Sequence, residues 1–245
     1  STGRGEILGE PIGHPERYLA RVGAMIEGPA FYPALSGEEN LRVLATLGGC
    51  DQTRVKELLA LVGLEDRGGS KYKTYSLGMK QRLGIAAALL PDPKLLILDE
   101  PTNGLDPAGI QEIRDLLTDL SKKGVTVFVS SHLLSEIEMI SDYLVILRRG
   151  KVIFFGKTED LLLKSRATIT AIPQNPEDMA KLHSLVESAG HQARIDSKEL
   201  HIQANPEWGS ELNKLAFENG IVLREITPVR ATLEETFFEL TEGTR

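Results

Sequence analysis

Residues 95–107 read LLILDEPTNGLDP, and the fold turns on them. Four apolar residues run without a break into two acids, Asp99 and Glu100. A short apolar run that stops at turn residues predicts a strand buried on both faces, as in a parallel sheet. Beyond the turn, Ile110, Ile113, Leu116, Leu117 and Leu120 fall on one face of a helix. Lys122 and Lys123 occupy its last turn and Gly124 its C′ position. Residues 125–129 predict a second strand, 134–140 another helix and 143–147 a third strand. Upstream, Val55, Leu58, Leu59 and Val62 predict a helix ended by Gly63, and 38–47 predict one more. Strand and helix alternate, so the fold class is α/β with a parallel sheet.

Ligands of open α/β sheets gather at the carboxyl ends of the strands, where Asp99 and Glu100 emerge. One carboxylate there can hold a hydrated Mg²⁺, and the next can orient or deprotonate a water. Two acids after a strand also suit a plain solvated strand end, so their neighbours decide. Residues 127–132, VFVSSH, predict a strand that delivers His132. Residues 75–90, YSLGMKQRLGIAAALL, predict a helix capped by Ser76, with an anion-binding amino end.

With these parts in this order, residues 1–160 resemble the nucleotide-binding domain of ABC transporters. SLGMKQ (76–81) is similar to the family's signature motif and LLILDE (95–100) to its Walker B motif. Gly104, Leu105 and Asp106 match the D-loop, and His132 matches the switch histidine. The resemblance implies a P-loop NTPase-like α/β domain with an inserted helical subdomain at about 28–90. It implies ATP and Mg²⁺ as ligands. Asp99 is then the Mg²⁺-associated acid, Glu100 the catalytic acid and His132 a γ-phosphate contact. Ser76, Leu77, Gly78, Met79, Gln81 and Asp106 become the nucleotide-binding set. Leu77 and Met79 depart from the commonest signature, which has glycine and glutamine there. Glu27, in the Q-loop region 23–41, stands where most members have glutamine. That substitution resembles the bacitracin and lantibiotic-resistance exporters, and Glu27 is expected to accept metal or water contacts near Mg²⁺.

The resemblance further implies a membrane permease as partner, touched by the region near 28–75, and a head-to-tail homodimer. In that dimer each ATP lies between one subunit's phosphate loop and the other's signature helix. The protein is then cytoplasmic and peripheral on the inner face of the cell membrane. Two other readings remain open at this level: a non-transport ABC ATPase and a non-hydrolytic regulatory module. The first class usually carries paired domains, long coiled coils or basic linkers. Glu100 and His132 argue against the second.

A phosphate loop needs G-x-x-x-x-G-K-[ST] between a strand and a helix. Residues 150–158, GKVIFFGKT, have the wrong spacing, since Lys151 stands where the first glycine belongs. Val152–Phe155 is a β-type run that cannot wrap a phosphate. The stretch predicts the second strand of a hairpin after LVILRRG, with Thr158 capping the next helix. In the family the loop lies upstream of the stretch that STGRGEILGEPI (1–12) resembles. The expectation is therefore that the first few dozen residues of the complete domain precede Ser1. The chain alone is then expected to bind MgATP weakly or not at all.

After about residue 165 the pattern changes. NPEDMAKLHSLVESAG (175–190) and NPEWGSELNKLAFENG (205–220) share Asn-Pro-Glu and a glycine at the same interval. Proline at a helix start and glycine past its end predict one helix each. With strands at 168–172, 193–195, 200–203 and 221–226 the order is β-α-β-β-α-β, a ferredoxin-like α+β unit. The domains are thus expected at 1–165 and 166–245, the second being accessory. His183, His191 and His201 lack metal-ligand spacing and are expected to be solvated.

Bulk composition excludes some functions. The 245 residues are 41% hydrophobic, enough for a sizeable core. The net charge of −7 argues against a nucleic-acid partner, which needs a basic face. No apolar run approaches the roughly 20 residues of a membrane span. The single cysteine, Cys50, cannot form an intrachain disulfide.

Overall fold

The computed structural model describes residues 3–26, 30–164, 168–229 and 232–242. Its contacts divide the chain into two units, Ser1–Leu133 and Leu134–Arg245. The division falls ahead of the 165/166 boundary read from the sequence, because residues 134–164 group with the carboxyl-terminal part of the chain.

The first unit opens with a small antiparallel pair, β1 (Glu6–Ile7) and β2 (Glu10–Pro11). Its main sheet is parallel and runs in the order β3 (Val22–Met25), β4 (Leu95–Asp99), β5 (Thr126–Ser130). Leu96 and Leu98 point to one face of β4 and are 0% exposed. Burying each stabilises the fold by about 1.5–3 kcal/mol. The opposite face is more open than the continuous apolar run predicted, with Leu95 and Ile97 half-buried and Phe128 of the neighbouring strand 56% exposed. The helices that reach this sheet, introduced below, leave Phe128 uncovered.

Between β3 and β4 three helices pack on one another: α1 (Gly37–Gly48), α2 (Arg54–Leu61) and α3 (Leu77–Ala88). Leu41, Ala45, Val55, Leu58, Leu59, Val62, Leu64, Leu83 and Ile85 supply buried apolar surface there. α3 also packs on β3. α4 (Pro107–Lys122) leads from the loop after β4 and packs on β5 through an inward stripe of Ile113, Leu117 and Leu120.

α1 starts at a capping box. Ser36 Oγ accepts from the Glu39 N–H (3.1 Å), and Glu39 Oε2 accepts from the Ser36 N–H (2.6 Å). Those bonds, that from the Ser36 backbone first, hold the Glu39 carboxyl below its ordinary range. Behind the cap, buried Asn40 donates to the carbonyls of Ser36 (2.8 Å) and Tyr32 (3.1 Å) and accepts from the Tyr32 N–H (2.8 Å). The loop before α1 is thereby pinned.

The second unit contains α5 (Leu134–Ile140), the antiparallel hairpin β6 (Tyr143–Arg148) and β7 (Lys151–Lys157), and α6 (Thr158–Lys164). Arg149 and Gly150, at φ +50° and +74°, form the two-residue turn. Two successive positive φ values suit the twist of a tight hairpin. GKVIFFGKT is therefore a turn, a strand and a helix start. Thr158 is buried and its hydroxyl donates to the Ser141 carbonyl (2.7 Å), which ties the helix start to the end of α5.

The remainder has the β-α-β-β-α-β order: β8 (Thr168–Pro173), α7 (Met179–Ser188), β9 (Ala193–Asp196), β10 (Glu199–Gln203), α8 (Gly209–Glu218) and β11 (Leu223–Val229). The antiparallel sheet has the order β11-β8-β10-β9, the ferredoxin-like arrangement. Ile169, Ala171, Leu200 and Ile202 alternate toward one face and pack on Leu182, Val186, Leu212 and Ala216. Both prolines of the repeat open a single 3₁₀ turn that runs straight into its helix. α9 (Leu233–Glu242) returns to the hairpin, where Leu233 is buried with Leu144, Ile146 and Leu161. Its first residue donates from the backbone to Glu138 Oε2 (2.7 Å).

Lys157 lies in a strand, so in the complete protein Lys157→Ala is expected to change nucleotide affinity by less than about twofold in a filter-binding assay, where loss of a phosphate-loop lysine would abolish it. The depressed Glu39 carboxyl contributes stability that is present above its unfolded value and lost as pH falls through its folded value. Glu39→Gln is therefore expected to flatten the acid limb of the stability profile below the ordinary glutamate range, as measured by urea denaturation at a series of pH values.

Candidate functional site

The parallel register sets Asp99 opposite Ser130 at the carboxyl edge of the sheet. The Ser130 hydroxyl donates to Asp99 Oδ1. The next residue, Glu100, turns out of the strand at φ +47°, a region that non-glycine residues rarely adopt. Its N–H donates to the Ser130 carbonyl at 3.0 Å and lies 3.4 Å from the Ser130 hydroxyl oxygen. Past the end of β5, His132 Nδ1 is 2.8 Å from Glu100 Oε2. The imidazole is exposed and the carboxylate partly buried, so the pair meets solvent from a fixed base. Asp99, Glu100 and His132, all singled out in the sequence, are brought together.

Ser76 caps α3 as expected, its Oγ accepting from the Met79 N–H at 3.3 Å. The first-turn amides have no intrahelical acceptor and the helix dipole points its positive end outward there. Leu77 is 50% exposed, while Gly78 and Met79 are half-buried. Gln81 differs from them: it is 6% exposed, and its Oε1 is buried and meets no donor among the described residues. The buried side of α3 carries Gln81 together with Gly84, Ile85 and Ala88, so it does not share the exposed rim of Ser76. Asp106 caps α4 through a bond from the Gly109 N–H (3.0 Å). Glu27 lies outside the described residues.

The D-loop residues rest on the amino end of α3. A Cβ on Gly104 would stand 2.7 Å from Leu77 Cδ2, and one on Gly78 would stand 3.6 Å from Leu105 Cδ2. Gly104 also has φ +74°. On the other side, Phe31, Tyr72 and Tyr75 form a string of aromatic rings at centroid distances of 5.1 and 5.8 Å. Tyr75 donates its hydroxyl proton to the Arg67 carbonyl (2.7 Å). Burial pushes the phenols of Tyr72 and Tyr75 up, so both stay protonated at neutral pH. Lys80 sits 5.4 Å from the Tyr72 ring centroid.

Sequence reasoning missed Ser130 and the aromatic string. VFVSSH marks a strand end, but only the pairing of β5 with β4 shows that its first serine meets both acids. Tyr75 is next to the cap residue in sequence, yet the Arg67 carbonyl that its hydroxyl meets and the Tyr72 ring beside it lie upstream, and Tyr72 in turn meets Phe31, far earlier in the chain.

Among the described residues, no three His, Cys, Asp or Glu side chains gather closely enough to hold a cation by themselves. Asp99 has Oδ1 taken by Ser130 and keeps Oδ2. One carboxylate oxygen beside a second acid fits Mg²⁺, a hard cation that retains waters and takes most of its remaining ligands from phosphate.

The fold that carries these residues is that of an ABC-type ATPase domain. A family model described as "AAA domain, putative AbiEii toxin, Type IV TA system" matches residues 33–138. The chain is similar to the ABC transporter ATP-binding protein YhcH of Bacillus subtilis (strain 168), at 40% identity over 93% of this chain and 73% of that protein. It is similar to the bacitracin transport ATP-binding protein BcrA of Enterococcus faecalis, at 39% identity over 91% of this chain and 73% of that protein. Among solved structures it resembles an ATP-binding subunit of an ABC transporter, with a TM-score of 0.56 and 34% identity over 65% of this chain and 68% of that one. The chain belongs to the family of ABC transporter ATP-binding proteins.

Gly104 combines a left-handed backbone with a side-chain neighbour in contact range. Gly104→Ala is expected to lower the unfolding free energy by about 1–2 kcal/mol, as measured by urea denaturation.

Proposed function

We propose that this chain is the ATP-hydrolysing part of a transporter that exports a peptide antibiotic, a drug or a lipid-like compound. The observation that supports it most is the contact between Glu100 and His132, held beside Asp99 at the carboxyl edge of a parallel sheet. A carboxylate partly shielded from solvent and hydrogen-bonded to an imidazole is suited to orient a water and accept its proton. With its Nδ1–H given to the Glu100 carboxylate, His132 can donate from Nε2 to developing negative charge on a transferred phosphoryl group when the ring carries a proton there as well. Asp99 would hold Mg²⁺ through Oδ2, directly or across a water. That ion, when bound, neutralises charge on the β- and γ-phosphates. Ser76 and the first-turn amides of α3 present donors to an anionic phosphate. Asp106 and Gly104 hold the loop that abuts those donors.

The names of the relatives favour transport over the non-transport and regulatory readings. BcrA is a bacitracin transport protein, which supports an antibiotic-like cargo for this chain. A transporter also needs a path through the membrane. Among the described residues no helix is long and apolar enough to cross one. We therefore assign that task to a separate permease, with this chain peripheral on the cytoplasmic face. ATP is read as bound between two copies, Ser76 of one completing the site of the other. Residues 1–165 form the ATPase part in this reading, and 166–245 an accessory part.

The test is Glu100→Gln in the complete protein. Steady ATP turnover is expected to fall by at least about 100-fold while nucleotide remains bound. Retained turnover would remove Glu100 from the reaction.

A further inference from the structure

We propose that Ser130 is the positioning residue that holds the Asp99–Glu100 pair in working geometry. The inference deepens the ATPase reading given above and rests on it.

Ser130 is the last residue of β5, directly across the parallel register from Asp99. Its hydroxyl donates its one proton to Asp99 Oδ1. The hydroxyl oxygen also faces the Glu100 N–H at 3.4 Å, and the Ser130 carbonyl accepts that N–H at 3.0 Å. A serine hydroxyl has one proton to give and lone pairs to receive, and here both capacities point at the acid pair. The chemistry is affected in two ways. The donated proton selects which oxygen of Asp99 is occupied by protein and which is presented outward. The bonds to the Glu100 N–H hold that residue at φ +47°, a backbone state that persists only where its surroundings impose it. From that state the Glu100 carboxylate reaches His132, two residues beyond Ser130. The Ser130 hydroxyl thus sets the orientation of the metal acid and adds a second, longer bond to the backbone of the water acid, which the Ser130 carbonyl already holds.

A residue that only ended the strand would need no hydroxyl. Alanine keeps the backbone carbonyl and its bond to Glu100, so Ser130→Ala removes the hydroxyl without deleting a rung of the sheet. Ser130→Thr keeps the hydroxyl on a residue suited to strands.

The experiment has two arms. In the complete protein, Ser130→Ala is expected to lower kcat by about tenfold or more, with KM for MgATP within about twofold, and Ser130→Thr to restore most of the rate. In the 245-residue chain without nucleotide, amide hydrogen exchange at Glu100 is expected to be about tenfold faster in Ser130→Ala than in wild type, and near normal in Ser130→Thr. Unchanged Glu100 exchange in Ser130→Ala overturns the proposal, as does a threonine variant that rescues neither readout. Unchanged kcat with faster exchange overturns the claim that the positioning matters to the reaction. A wild-type complete protein without ATPase activity, alongside faster exchange in Ser130→Ala, overturns the ATPase reading and leaves the Ser130 contacts established.

Discussion

The parallel pairing of β4 with β5 is the constraint on which the site depends. Side chains alternate along a strand, so a slip by one residue would turn Asp99 away and face Ser130 with the wrong partner. The register is held by the apolar face behind it: Leu96 and Leu98 must stay on the buried side, and their burial is complete. The apolar side of one strand therefore decides where its terminal carboxylate points. Because neighbouring strands stand about 4.8 Å apart, side chains at paired strand ends are within hydrogen-bonding reach. Asp99 and Glu100 arrive on β4 or just after it, and Ser130 and His132 on β5 or just beyond it.

The amino end of α3 is set by a different kind of contact. Ser76 only satisfies one amide; it does not aim the helix. Aim comes from the sides. Leu77 leans on Gly104, where a larger residue would collide. Tyr75 is anchored to the Arg67 carbonyl and packed beside Tyr72. The signature helix is thus held between the D-loop and an aromatic string that reaches Phe31. An ion pair from Arg82 to Glu112 joins the same helix to α4.

Much of the architecture was legible locally. The NPE…G segments predicted two helices with the right ends, since proline and glycine act on their own backbone and need no distant partner. Residues 168–172 and 200–203 read as strands, and only the packing shows that β10 buries one face whereas β8 buries Thr170 and Ile172 as well as Ile169 and Ala171. Hairpin β6–β7 was legible because Arg-Gly between two apolar runs is a turn signal. What misled was burial on both faces of β4. Continuity of apolar residues reports that a strand is shielded on average, whereas Phe128 shows how much of one face the described helices leave open. Likewise the change in composition near residue 165 marked the start of the ferredoxin-like unit. It said nothing of α5, β6, β7 and α6, which share a core with α9 far downstream in the sequence.

By itself the sequence determined the α/β order and the Ser76 cap, and singled out the two acids and the histidine, because each depends on residue type and spacing along the chain; Thr158, expected to cap α6, instead gives its hydroxyl proton to the Ser141 carbonyl. It also determined that GKVIFFGKT is no phosphate cradle, because Lys151 and the β-type run after it have the wrong spacing and shape. Tertiary structure alone decided that Ser130 serves both acids, that Gln81 faces inward while Ser76 faces out, and that Leu77 needs a glycine at 104. Those facts depend on pairs of residues brought together by strand register and helix packing. Neither is written in the spacing of any single segment.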